Sequence, residues 1–203
     1  MKKLLFLAVI ATLTSFYLPL DPLSKKERKF AASSLKETMN DVMKSVKGLS
    51  EEQLNYKPAA DRWSVKECVY HIALSESGLR QWVDATVKAP ANPDKKAEIK
   101  MTDEQVMKGI SDRSKKVKTF PQLEPQSAKW ENLDQALSAF KESRENLIDY
   151  VKKTSDDLRS HIAIETPMGP LDAYQLVLFT SSHTNRHLQQ INEVKADPGF
   201  PKK

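Results

Sequence analysis

A single cysteine, Cys68, stands in the 203-residue chain, so no intramolecular disulfide can form and the fold has to rest on an apolar core or on a metal. Glycine is nearly as scarce, at five residues, and the alternation of β-branched with polar residues that marks half-buried strands is almost missing. Together these shortages exclude a disulfide scaffold and argue against a sheet. A dense run of one charge is missing too. The formal charge is only +5, with lysines scattered among acids, and this gives no footing for a nucleic-acid partner. Ala, Leu, Lys, Glu, Gln and Met fill the long segments, which favours an all-helical chain.

The first twenty residues differ from the rest. Lys2 and Lys3 precede an apolar run from Leu4 to Ile10 that continues through Leu13, Phe16 and Leu18, with no charge until Asp21. That is the layout of a secretory signal peptide, and it predicts an exported protein, periplasmic or extracellular. No A-x-A pattern stands before Asp21, and Leu13-Thr14-Ser15 is the nearest substitute. If cleavage fails, the segment becomes an N-terminal membrane anchor, the sole membrane contact expected. No cysteine follows the apolar run, which argues against a lipoprotein. Residues 1–20 are therefore set apart from the fold, and residues 21–203 are read as one domain. Without the leader the charge falls to +3, because Lys2 and Lys3 leave and no acid does.

Four long helices are legible in the remainder. The first spans about Ser24 to Lys47, with Phe30, Leu35, Met39, Val42, Met43 and Val46 recurring every three to four positions and Gly48 as a stop. The second opens at the capping box Ser64-Val65-Lys66-Glu67, with Trp63 placed to pack back on its first turn, and runs to about Lys88 before Pro90. Residues 91–130, with Pro90 just before them, carry Pro93, Pro121 and Pro125 around a short helical candidate beginning Thr102-Asp103-Glu104-Gln105, and read as a long crossover. The third long helix starts near Asn132 and ends at Thr154; the last starts at Asp172-Ala173-Tyr174-Gln175 and continues to about Lys195. The expected architecture is a four-helix bundle with a helix-containing crossover between its second and third long helices.

Three of the four histidines fall on inward stripes. His183 and His187 lie four apart on the last helix, one above the other, in line with Leu176, Thr180, Ile191 and Val194. His71 lies on the second helix in the stripe Cys68, His71, Ser75, Leu79 and Trp82. Imidazoles in an apolar core are costly unless each ring nitrogen has a partner. Spacing alone leaves two readings: separate histidines hydrogen-bonded to backbone carbonyls, or three ligands of one ion with a position left open.

The segment Arg62-Trp63-Ser64-Val65-Lys66-Glu67 leading to His71, the run Gly169-Pro170-Leu171-Asp172-Ala173-Tyr174, and His183 to His187 followed by Leu188-Gln189-Gln190-Ile191 together resemble the DinB superfamily, over about residues 25–197. The resemblance implies an up-up-down-down four-helix bundle with a histidine triad for a divalent metal, zinc or nickel, carried here by His71, His183 and His187. It also implies a small-molecule substrate or thiol, since relatives include thiol-dependent S-transferases. The leader departs from that pattern, because the thiols those relatives use are cytosolic.

Beside the triad, Cys68 is a fourth-ligand candidate, with burial as a small apolar group the plainer reading. His161, in the connection before the last helix, reads as an exposed loop residue that could instead cover the site. Glu76 points off the ligand face and reads as a surface or inter-helix group rather than a general base, and Trp63, Trp82 and Trp130 as packing. No catalytic acid or base is identifiable. Two functions follow: a metal-dependent thiol S-transferase or hydrolase-like enzyme, or a non-catalytic exported module binding a metal or small ligand. Bundles of this kind can pair through exposed helix faces, so a monomer and a homodimer both stay open.

Overall fold

Residues 23–114 and 116–202 are described in a computed structural model. Among them are six α-helices: α1 (Lys25–Val46), α2 (Glu51–Asn55), α3 (Val65–Lys88), α4 (Asp103–Ser111), α5 (Leu133–Lys153) and α6 (Ala173–Lys195). The helices begin where the sequence supplies caps. Ser24, Ser50, Ser64, Thr102 and Asp172 each accept a hydrogen bond from the backbone N–H three residues on, while the Glu or Gln there reaches back to the cap. Each box satisfies donors that a helix start leaves free. Asn132 caps α5 by its side chain alone, since Gln135 turns to the N–H of Glu131. Gly48, past the end of α1, has φ of 73°, a conformation glycine reaches without steric cost.

The four long helices form a ring in which α1 and α3 each pack on both α5 and α6. Contacts fix their directions. Tyr174 Oη donates to the Glu27 carbonyl (3.0 Å), Ser34 meets Ser181 (2.6 Å), and Lys195 Nζ donates to the Ser45 carbonyl (2.7 Å), so α1 and α6 run parallel. Arg28 reaches the carbonyl of Val151, so α5 runs against α1, and Trp82 meets Phe179 while His71 meets His187, so α3 runs against α6. In chain order the long helices therefore point up, down, down, up. The up-up-down-down order implied by the family resemblance is therefore not the one these contacts give. The cause is the crossover over residues 89–132, long enough to return the chain to the end where α3 began. Within it α4 packs on α6, and two 3₁₀ turns, Pro121–Leu123 and Pro125–Ser127, lie against α3.

The connection before α6 forms a small antiparallel pair, β1 (Ile162–Ala163) with β2 (Leu171–Asp172), turning at Gly169 with φ of 81°. Arg159 fastens that end. It binds Glu27 of α1, Asp103 of α4 and the cap Asp172, and lies 4.1 Å from the Tyr174 ring.

The core divides into two apolar clusters. One gathers Leu35, Val83, Leu147, Tyr174 and Leu178; the other gathers Val42, Cys68, Val69, Phe140 and Ile191. Between them lies a polar layer centred on Arg144, which is 0% exposed. Its five N–H donors are all engaged: two on the Glu76 carboxylate (2.7 and 2.6 Å), one each on the Leu35 carbonyl (3.0 Å), Thr38 Oγ1 (2.9 Å) and Thr184 Oγ1 (2.6 Å). One side chain of α5 thus ties α1, α3 and α6 at mid-height. Glu76, read as a surface or inter-helix group, is inter-helical and 1% exposed, because Arg144 makes its burial tolerable.

None of the described helices is long and apolar enough to cross a membrane. The leader assigned to residues 1–20 lies outside the described residues.

Candidate metal centre

His71 sits in the second turn of α3, placed by the Ser64 box; His183 and His187 project from consecutive turns of α6 toward it. The structure brings all three together. One ligand nitrogen from each lies within 4.8 Å of the others, and no other such group of histidine, cysteine or acidic side chains occurs among the described residues. His71 and His187 are buried, and His183 keeps some exposure. The ring centres of His71 and His187 are 4.3 Å apart, and those of His183 and His187 4.6 Å.

Ring orientation follows from hydrogen bonds. His71 Nδ1 lies 2.7 Å from the Leu123 carbonyl, which can only accept, so Nδ1 carries the proton and Nε2 presents a lone pair. His187 Nδ1 lies 3.0 Å from Gln190 Oε1, an oxygen that also accepts from Arg113 (3.3 Å) and so assigns the same tautomer. His71 Nε2 and His183 Nε2 face each other at 3.3 Å. Two nitrogens bound tetrahedrally at about 2.05 Å to one zinc stand roughly 3.3 Å apart, so this pair matches the spacing a shared ion requires. The donor set fits a divalent metal: three imidazoles, two held by outer partners of the kind that orient metal ligands.

Electrostatics agree with the geometry. Burial holds the His71 ring below the ordinary histidine range despite its bond to Leu123. His183 is pushed down to about 3, first by desolvation and then by its histidine neighbour, and His187 lies well below its usual value for the same two reasons. All three are therefore neutral near pH 7, with lone pairs free for a cation.

Aromatic rings close the surroundings. Trp63 lies 4.8 Å from the His71 ring and stacks at 28° over His187 (5.9 Å); Phe179 stacks at 16° on His183 (6.4 Å) and touches Trp82. Trp63 is thus a wall of the site as well as a residue beside the α3 cap.

The remaining candidates lie elsewhere. Cys68 is buried in an apolar cluster, where desolvation pushes its thiol far up, and it is not part of the ligand group. His161, read as exposed, is half-buried at the start of α6, where its carbonyl accepts from Ala173 N–H (2.9 Å), and so does not cover the triad. Sequence reasoning missed Leu123 and Gln190. A backbone carbonyl leaves no sequence signal, whereas Gln190, three after His187 on a helix, could have been found by its spacing.

The chain belongs to the DinB superfamily, whose family model matches residues 34–191. It is 28% identical over 159 residues to the uncharacterized protein YuaE of Bacillus subtilis (strain 168), covering 78% of this chain and 91% of that protein. Among solved structures it resembles YfiT from Bacillus subtilis, described as "a probable metal-dependent hydrolase with an unusual four-helix bundle topology", with a TM-score of 0.60 and 14% identity over 88% of this chain and 91% of the other. At that identity the likeness speaks for the bundle alone.

Proposed function

We propose that the chain binds one divalent metal ion, zinc or nickel, through His71, His183 and His187, and uses it in hydrolysis or thiol transfer on a small molecule. The observation that carries this is the Nε2 pair at 3.3 Å, with the opposite nitrogen of His71 committed to a carbonyl. A bound divalent ion with three neutral ligands keeps its full charge and supplies Lewis acidity. The chain's own residues present three lone pairs, fix two tautomers through Leu123 and Gln190, and screen the rings from water with Trp63 and Phe179. The description of YfiT as a hydrolase is in keeping with this reading.

A second reading, a non-catalytic module, draws on Glu76. The buried carboxylate nearest the triad in sequence has both oxygens taken by Arg144, which leaves it unsuited to serve as a base. Two measurements separate the readings. Metal analysis of untagged protein should give near one ion per chain, lost in His183→Ala; no metal in either sinks the metal enzyme and the metal-binding module alike, leaving only a small-ligand module. A screen of ester, amide and thiol-plus-electrophile reactions, run beside the triple-histidine variant, should show activity in the wild type only. No difference leaves the binding module. Export belongs to the same proposal: mature protein recovered outside the cytoplasm without residues 1–20 supports it, and intact protein in the cytosol refutes it.

A further inference from the structure

Ser75 lies one turn beyond His71 on α3, is 2% exposed, and has one hydrogen-bond partner among the described residues: its hydroxyl stands 3.4 Å from His71 Nε2. Because His71 Nδ1 carries the ring proton, Ser75 donates to the Nε2 lone pair. That is the lone pair a metal ion would take. Once it is given to a cation, the buried hydroxyl loses that acceptor, and a buried hydroxyl left without a partner is destabilising. Of the groups beside the triad, Trp63 and Phe179 are aromatic and the Leu123 carbonyl is committed to His71, which leaves the backbone carbonyl of His71 as the acceptor within the helix.

We infer that Ser75 is a ligand-contacting residue, whose hydroxyl holds an oxygen-bearing small molecule, carboxylate or carbonyl in kind, beside the triad. The inference rests on the metal reading above and adds the chemistry of the next ligand, oxygen and able to accept a hydrogen bond, and the helix it lies against. The competing fate of the hydroxyl is to turn back onto the His71 carbonyl one turn below, as serines inside helices do.

The test uses the full chain loaded with cobalt(II), whose visible absorption reports coordination, and acetate as the probe ligand. Ser75→Ala keeps the three imidazoles and a good helix former, so cobalt uptake should match the wild type. Acetate should perturb the wild-type spectrum and bind the variant about tenfold more weakly, the worth of one hydrogen bond to a charged acceptor. Ser75→Cys should add an intense near-ultraviolet thiolate-to-cobalt band that the wild type, with Cys68 buried elsewhere, lacks. Equal acetate affinity in wild type and Ser75→Ala, or no acetate response in the wild type, overturns the inference whatever Ser75→Cys shows. If the wild type takes up no cobalt at all, the metal reading itself falls and this falls with it.

Discussion

Replacing Arg144 with methionine would strip the polar layer of its donor group while leaving its acceptors in place. Both oxygens of Glu76, at 1% exposure, would lose their partner, and the Leu35 carbonyl, Thr38 and Thr184 would each lose a bond. An uncompensated buried charge of this kind costs about 3–5 kcal/mol. At about 2–4 °C per kcal/mol for a domain of this size, the melting temperature should drop by roughly 6–20 °C. Glu76→Leu should be comparably harmful, since it leaves the guanidinium unpaired. The double variant Glu76→Leu/Arg144→Met should recover most of the loss, because an apolar pair of similar volume can equal a buried ion pair. Urea and thermal unfolding, followed by circular dichroism with chelator present, would give the double-mutant cycle free of metal stabilisation. Two results would refute the reasoning: an Arg144→Met variant melting within about 2 °C of the wild type, or a double variant no more stable than the singles.

Other consequences are as direct. All three triad histidines sit below the ordinary value of 6.5, so the unfolded chain binds more protons than the folded one as pH falls below it. Metal-free protein should hold its full stability above about pH 6.5 and lose it progressively toward the value of about 3 for His183, which urea midpoints across that range would show; a flat profile contradicts the buried neutral rings. Gln190→Leu removes the acceptor for His187 Nδ1–H and should weaken metal binding about 10–100-fold in chelator competition, with Gln190→Glu retaining it. Cys68 should resist thiol reagents in the native protein and react once urea unfolds it; prompt native labelling would place it outside the core.

The sequence disclosed those features that are local. Caps at Ser64, Thr102 and Asp172 carry their partner three residues away, and His183 with His187 share a face by spacing alone, so helix starts and the inward histidines could be read directly. The short α2 escaped because five residues hold too little periodicity, although Ser50 and Gln53 form the same box. Glu76 and Arg144 are separated by 68 positions, and each alone looks like a solvated residue on a polar helix face; only the assembled ring shows that they face each other. Trp63 behaves likewise: it stands beside a cap in sequence and against two ligands in space. The parallel run of α3 and α5 depends on where a long crossover ends, which its proline content does not reveal.

That crossover reaches both ordered imidazoles. Leu123 grips one directly, and Arg113, ion-paired with Glu193 at 2.7 Å, grips the other through Gln190. Ten positions separate these two handholds. An insertion or deletion inside that stretch would shift one handhold against the other and so reseat a ring without altering a single histidine, making its length a natural dial for tuning what the centre binds.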